Sequence, residues 1–242
     1  MRVLILSDIH ANLPALEAVL AATAGQWDAL WCLGDLVGYG PHPNECVALL
    51  QQEASLCLSG NHDWAVLGKL EINTFNSDAR QSIEWTRNAL SAESLAYLEA
   101  LPPRLSLEWF TLAHASPRQP VWEYISDYLI AWENFSHFTT PYCLVGHTHL
   151  PVVFEEDAER GVLGYHADYS RPFSLRERRL IINPGSVGQP RDADPRAAYA
   201  FLDTENLTWE HQRAAYAVDK TQARMRALGF APRLITRLQH GW

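Results

Sequence analysis

Side chains that can bind metal ions recur along the first 150 residues, each directly after a short apolar run. They come from five places in the chain: Asp8 with His10, then Asp35, Asn61, His114, and finally His147 with His149. Carboxylate, imidazole and amide groups are hard or borderline ligands, which suit Mn²⁺, Fe or Zn²⁺. Cysteine, the ligand of thiolate sites, stands at none of these positions. The pattern therefore predicts a site for divalent cations.

The spacing of the acidic ligands indicates the chemistry. Asp8 and His10 alternate by two, so in extended backbone both would point the same way. Asp35 stands alone after the second apolar run, where one carboxylate could bridge two cations. Two metals about 3.5 to 4 Å apart stabilise the attacking and leaving oxygens of a phosphoryl transfer and generate hydroxide near neutral pH. The alternative for each residue alone is an ordinary helix cap or a hydrogen-bonded surface histidine.

The elements that must position these residues begin with alternating strands and helices. Residues 3–6, 29–33 and 55–59 predict buried strands, and helices are predicted from Asn12 to Gly25 and over 45–52. This alternation is typical of a parallel sheet with right-handed crossovers, in which functional groups collect beyond the carboxyl ends of the strands. The first four ligands all fall there.

The rest of the chain predicts a second layer. Residues 64–101 have a helical pattern, which we interpret as an embedded segment because about forty residues make a poor independent core. Further strands are predicted over 105–113, 142–145, 152–154, 161–165, 179–182, 197–202 and 207–216, and helices over 124–138 and 218–238. We therefore predict an α/β fold, a two-sheet αββα sandwich flanked by helices, as a single domain over 1–242.

Composition narrows the function classes. The 242 residues carry a formal charge of −9, which disfavours general binding to nucleic acid, because that binding needs clustered lysine and arginine. No apolar run approaches the roughly 18 to 20 residues that span a bilayer, and the first strand follows directly after Met1 and Arg2. The four cysteines show no CxxC pairing. These features predict a cytoplasmic protein with no membrane segment.

The ligand positions as a set resemble the motifs of the calcineurin-like metallophosphoesterases. The matching stretches are Asp8-x-His10, Gly34-Asp35, Gly60-Asn61-His62-Asp63, His114 and Gly146-His147-Thr148-His149. The resemblance implies two divalent metal ions, the first held by Asp8, His10, Asp35 and His149, the second by Asp35, Asn61, His114 and His147. It implies hydrolysis of phosphodiester, phosphomonoester or phosphoanhydride bonds of small, nucleotide-like substrates by a metal-bound hydroxide. By the same resemblance His62 is the general acid, although a purely structural histidine is the alternative.

The sequence departs from one branch of that family. Protein serine/threonine phosphatases carry an aspartate and an arginine shortly after the residue that corresponds to Asp35, whereas here Leu-Val-Gly-Tyr-Gly follows. This disfavours a phosphoprotein substrate. The loop over 183–191 offers Arg191 as a phosphate contact and Gly185 for close approach of the backbone to an anion. Together with Tyr39 and Asn12, this loop resembles the small bacterial phosphodiesterase branch.

Several alternatives stay open at this point. Arg191 could be merely solvated, Asn12 could cap the first helix, and Tyr39 could stack on a nucleobase. A protein-interaction scaffold that binds metal with little catalysis is a second function class, and a nuclease is a third. The intact ligand set disfavours the scaffold, and the acidic charge disfavours the nuclease. The sequence leaves the substrate, the native metals and the oligomeric state undetermined.

Overall fold

Two six-stranded sheets pack face to face in the computed structural model, which describes residues 1–166 and 168–242. The strands are β1 (Arg2–Leu6), β2 (Ala29–Cys32), β3 (Leu56–Cys57), β4 (Arg104–Ser106), β5 (Phe110–Ala113), β6 (Tyr142–Leu144), β7 (Val152–Asp157), β8 (Gly161–His166), β9 (Phe173–Ser174), β10 (Leu180–Asn183), β11 (Ala197–Asp203) and β12 (Thr208–Ala214). The helices are α1 (Leu13–Ala22), α2 (Pro43–Glu53), α3 (Asn61–Val66), α4 (Ser77–Ala89), α5 (Ala92–Ala100), α6 (Tyr128–Phe135), α7 (Val218–Ala227) and α8 (Pro232–Arg237).

The strand order brings the two halves of the chain together. The first sheet runs β3-β2-β1-β11-β12-β9 and the second β4-β5-β6-β10-β7-β8. β1, β2 and β3 are mutually parallel, as predicted, and so are β5, β6 and β10. The carboxyl ends of the parallel strands in both sheets carry the candidate ligands, so the two sheets present those residues to a common site.

Alternation along β1 shows how the layers are built. Val3 and Ile5 join an apolar cluster that includes Leu144 and Ile182 of the second sheet. Leu4 and Leu6 point the other way, because successive side chains of a strand leave opposite faces, and they pack with α1, α2, α7 and α8. Helix α6 covers the outer face of the second sheet. This layering confirms the predicted αββα sandwich.

The elements differ from the sequence prediction in four details. The helix expected over 124–138 is shorter, because Asp127 caps α6 at its start through the N–H groups of Leu129 and Ile130. The third strand covers only two residues, and β9 was not predicted. The helical segment starts earlier than residue 64, since α3 begins at Asn61. Within the described residues, no helix is long and apolar enough to cross a membrane.

Candidate metal centre

All seven predicted ligands come together where the parallel strands end, and none is more than 3% exposed. Two groups of them have ligand atoms within 4.8 Å of one another: Asp8, His10 and His149 in one, and Asp35, His114 and His147 in the other. The Asp35 carboxylate also groups with His10 and His62, so it lies between the two sets. Asn61 starts α3 directly after Gly60, whose backbone lies against Asp35.

The histidine rings are held by backbone carbonyls. In the following pairs the Nδ1 atom faces a carbonyl oxygen: His10 with Val37 at 3.2 Å, His114 with Leu33 at 2.9 Å, and His149 with Gln189 at 2.6 Å. When Nδ1 donates to the carbonyl, Nε2 keeps its lone pair for the interior of the site. His147 is turned round, with Nε2 3.2 Å from the Trp122 carbonyl oxygen, which leaves Nδ1 free. Such orientation is typical of metal-binding histidines.

Several polar atoms of the site have no hydrogen-bond partner within the described residues. They are Asp35 Oδ2, Asn61 Oδ1 and His114 Nε2, all buried. In addition, the Nε2 atoms of His10 and His149 lie 3.1 Å apart. If both rings donate from Nδ1, two lone pairs face each other at this distance, an arrangement that a cation between them would stabilise. Buried polar atoms are rarely left unpaired, so these residues fit divalent cations.

The electrostatic environment of the site favours a bound cation. Burial raises the pKa of both carboxyls, but interactions with nearby histidine rings, mainly His149 for Asp8 and His114 for Asp35, outweigh burial and hold each pKa below its usual range. Burial lowers the pKa of His147 to about 3 and also lowers those of His10 and His149. The centre therefore combines two carboxylates with three imidazoles held in the neutral form that binds metal.

His114 behaves differently from the other rings. Burial lowers its pKa, but the Asp35 charge outweighs burial and raises that pKa to about 10. Its Nε2 lies 3.4 Å from Asp35 Oδ2, out of hydrogen-bond alignment. A positive charge at this point is therefore strongly favoured, and a divalent cation would take the place of the proton.

The backbone of the candidate ligands has an unusual conformation. Asp8, His10, Asp35, His147 and His149 all have left-handed φ values, between 47° and 65°. The expectation that Asp8 and His10 share a face through extended backbone is therefore wrong, because β1 ends at Leu6 and a left-handed turn brings both inward. Non-glycine residues rarely adopt this conformation, and such strain collects at functional sites.

Comparison with known proteins identifies the family. Residues 1–207 match the calcineurin-like phosphoesterase superfamily domain. The chain belongs to the calcineurin-like phosphoesterase superfamily. It is thus a phosphoric ester hydrolase of a metal-dependent family, as the sequence motifs predicted.

Individual proteins are similar to this chain over most of its length. A metallophosphoesterase from Sphaerobacter thermophilus of known structure is 48% identical, with a TM-score of 0.92 over 100% of this chain and 99% of that one. The uncharacterized protein MJ0912 of Methanocaldococcus jannaschii is 37% identical over 223 residues, covering 89% of this chain and 88% of the relative. The hypothetical protein PH1004 from Pyrococcus horikoshii has the same fold, with 20% identity, a TM-score of 0.78 and coverage of 100% and 98%.

His62 lies at the edge of this phosphoesterase site, beside the first ligand group. Its ring centroid is 4.9 Å from that of His10 and 4.4 Å from that of Tyr39, and it is 4% exposed. Burial lowers its pKa to about 4, although the Asp35 charge acts in the opposite direction. The structure thus brings His62 next to His10 and Asp35, in its neutral form.

Asp63 is a buried residue of the site whose role the sequence did not reveal. Its carboxylate accepts hydrogen bonds from the backbone N–H groups of Leu36, Val37 and Gly60. It thereby ties the loop after β2 to the start of α3. Burial, with repulsion from Asp35, raises its pKa to about 7.

Two of the four predicted substrate residues lie beside the metal centre. Tyr39 is 7% exposed and contacts the rings of His10 and His62. Arg191 donates its backbone N–H to the His149 carbonyl, and its half-buried guanidinium lines the same cavity as Tyr39.

The other two are used inside the protein. Asn12 makes no side-chain cap, so the capping interpretation is wrong; its amide donates to Gly188 and Tyr216 and accepts from Thr221. These contacts and its 1% exposure lead us to leave Asn12 out of the proposed substrate contacts.

Gly185 also differs from the prediction. Its N–H donates to Asn183 Oδ1, so the prediction of a backbone approach to an anion is wrong here. A Cβ at this position would lie 2.7 Å from Pro151 and 2.8 Å from Ala198, so the glycine is required for packing.

Three residues near the site escaped the sequence analysis. Tyr124 stacks on His147 at 3.8 Å, and it lines a cavity together with Arg233 and Arg237 of α8. The two arginines are four residues apart, and this spacing on one helix face is the only local signal that they act together. The sequence gives no signal that α8, which follows His147 by more than 80 residues, lines the same cavity as Tyr124.

Proposed function

We propose that the protein hydrolyses small phosphate esters or anhydrides with two divalent cations, drawn from Mn²⁺, Fe and Zn²⁺. The observation that carries the proposal is the pair of buried ligand groups, one with Asp8, His10 and His149 and the other with His114 and His147, which Asp35 connects. Asp8, His10, Asp35 and His149 would hold one cation, and Asp35, Asn61, His114 and His147 the other. Bound divalent cations polarise phosphoryl oxygens and lower the pKa of a water molecule.

The protein's own residues prepare the site for that chemistry. The backbone carbonyls that face His10, His114 and His149 fix each ring in a single orientation before the ligand arrives. Asp35 Oδ1 accepts from the backbone N–H of His62 at 2.9 Å, which leaves Oδ2 for the centre. Such preorganisation reduces the rearrangement needed during the reaction.

His62 would give a proton to the leaving oxygen in this scheme. The protein favours its neutral form, and a bound anionic phosphate would raise the pKa of the ring and so supply the protonated form. Arg191 would contact the non-bridging oxygens, since its guanidinium faces the same cavity as Tyr39. The role of His62 can be tested with variants.

The decisive experiment compares Asp35→Asn and His62→Ala with bis(4-nitrophenyl) phosphate as substrate and added Mn²⁺. Asp35→Asn should lose bound metal together with turnover, because it weakens both ligand groups. His62→Ala should keep its metal and lose about 10²- to 10⁴-fold in kcat, the usual contribution of a general acid. Metal content is measured by elemental analysis of the purified proteins.

His137→Ala is the matched control, because His137 is an exposed histidine that belongs to none of the ligand groups. It should keep wild-type metal content and turnover. Full activity in Asp35→Asn or His62→Ala would refute the proposed roles. If the wild-type protein bound metal and hydrolysed no phosphate ester, the scaffold function would replace catalysis.

We also propose a cytoplasmic location, which the cysteines support. All four are buried free thiols, as is usual in a reducing compartment. Assays of nucleotides, dinucleoside polyphosphates and cyclic nucleotides with each metal would define the substrate.

A further inference from the structure

A cavity of about 340 Å³ adjoins the candidate metal centre. Tyr39 and Tyr124 connect the two, since the first contacts His62 and the second stacks on His147. This volume lies at the lower end of the range of about 300 to 1,000 Å³ for small-molecule sites. A group in the cavity would therefore be close to a phosphate at the metal centre.

Three guanidinium groups line this cavity, which we call the arginine pocket. Arg191 comes from the loop after β10, and Arg233 and Arg237 from α8. In the part of the chain that the structure describes, none of the three forms an ion pair with an aspartate or glutamate side chain. The Nε of Arg191 is buried without a partner, and one of its NH2 groups donates to Gln189 Oε1. Arg237 uses Nε alone, on a main-chain oxygen of Trp242. The remaining donors are available to a ligand.

The positive charge of the arginine pocket is only partly compensated. Among the described residues of its lining Asp78 is the one carboxylate, so three positive charges face one negative charge, in a chain with a formal charge of −9. Burial and the charges of Arg191 and Arg233 lower the pKa of Arg237 to about 10. Like charges held this close are stabilised by a bound anion.

We propose that the arginine pocket binds a second phosphate group of the substrate, next to the phosphate that is hydrolysed, with Arg191 shared between the two phosphates. The substrate class is then small molecules with at least two phosphates, such as organic diphosphates and polyphosphates. Guanidinium groups bind phosphate through two parallel hydrogen bonds, and the polar lining gives an apolar leaving group little to contact. The inference rests on the proposed function, because it assigns a substrate class to the same site.

Binding can be measured apart from turnover. Inorganic tripolyphosphate and orthophosphate are titrated by calorimetry into protein whose metal has been removed with a chelator and the chelator dialysed away. Tripolyphosphate should bind roughly tenfold or more tightly than orthophosphate, because it reaches several guanidinium groups at once. Equal affinity for the two anions would reduce the pocket to a site for free phosphate and overturn the proposal.

Variants test the residues of the pocket. Arg233→Gln and Arg237→Gln should each weaken tripolyphosphate binding roughly tenfold, the loss expected for a charge-assisted hydrogen bond. Arg237→Lys, which keeps the charge, should recover part of the affinity. Arg224→Gln is the matched control: Arg224 is exposed on α7 and lies outside the pocket lining. Wild-type affinity in both Gln variants of α8 would contradict the proposal.

Turnover separates this inference from the proposed function. With Mn²⁺ present, the ratio of kcat/KM for adenosine 5′-diphosphate to that for bis(4-nitrophenyl) phosphate should fall about tenfold in Arg233→Gln. Turnover of both substrates with an unchanged ratio would refute the arginine pocket alone. Arginine-dependent binding without any turnover would refute the proposed function and leave the anion site in place.

Discussion

Gly38 bears directly on the position of the candidate acid His62. Its φ is +86°, and a Cβ there would lie 2.5 Å from His62 Nδ1 and 2.9 Å from Cγ. Gly38→Ala should therefore displace the imidazole while the ligand groups keep their metal. Because misplacing a catalytic group by about 1 Å costs roughly 10²-fold, we expect kcat to fall by about that factor. Elemental analysis and steady-state kinetics measure the two quantities.

Gly68 supplies the control for backbone strain. Its φ is +76°, close to that of Gly38, but no atom lies within 4 Å of a Cβ placed there. Gly68→Ala should lose a similar amount of stability and keep its turnover. The position of His62 would not depend on the space at Gly38 if Gly38→Ala kept the wild-type kcat. The same conclusion would follow if kcat fell as far in Gly68→Ala as in Gly38→Ala.

Residue types at strand ends predicted which side chains the structure brings together as candidate ligands, because metal chemistry restricts the choice of side chain. The predictions for Asn12 and Gly185 were wrong for the opposite reason, because the roles of these residues are set by contacts with residues distant in the sequence. Asn12 bonds Gly188 and Thr221, and Gly185 packs on Pro151 and Ala198. An asparagine or a glycine offers the same local signal for many roles, so only the tertiary structure decides.

Strand β12 carries a buried histidine that links the sheets. His211 Nε2 lies 2.9 Å from the Asn183 carbonyl of β10, and Nδ1 lies 3.1 Å from Nε1 of Trp209. The Trp209 indole can only donate, so Nδ1 must accept and the ring is neutral. Accordingly, burial lowers the pKa of His211 from 6.5 to about 4.

This ring makes folding stability depend on pH. The unfolded chain takes up the proton near pH 6.5 and the folded chain only near pH 4, so the stabilisation is complete above pH 6.5 and declines as pH falls towards 4. The contribution is at most about 3 kcal/mol. His211→Gln should reduce the slope of unfolding free energy against pH between 6.5 and 4.5, measured by urea denaturation of metal-free protein. An unchanged slope would show that His211 does not supply it.

At the level of elements, the pattern of apolar residues predicted the parallel β1, β2 and β3 and the helices between them, since β1 and β2 are short apolar runs buried on both faces and each helix buries one face. It failed where a tertiary contact decides. Two-residue β9 exists because it pairs with β12, and α6 starts late because Asp127 caps it. Short pairings and caps carry too few residues for a periodic signal.

The whole molecule joins its sheets in two ways. An apolar cluster lies between them, with residues such as Ile5 and Trp209 from one sheet and Leu144 and Ile182 from the other. The candidate metal centre spans the same sheets, because Asp8 and Asp35 follow strands of the first and His114 and His147 follow strands of the second. Since both links cross the sandwich, we propose that residues 1–242 unfold as one cooperative unit.

Metal binding should therefore stabilise the entire fold. A ligand that binds only the folded state at about 100 times its Kd adds about 2.7 kcal/mol. For a chain of this size, that corresponds to a rise in Tm of roughly 5 to 10 °C. Calorimetric scans of metal-free protein with and without Mn²⁺ should show this rise in a single transition.

In Asp35→Asn the rise in Tm should shrink to less than half, because this carboxylate serves both ligand groups. His137→Ala should keep the full rise. Two separate transitions, of which only one responds to Mn²⁺, would show that the centre stabilises one layer and does not bridge the sheets.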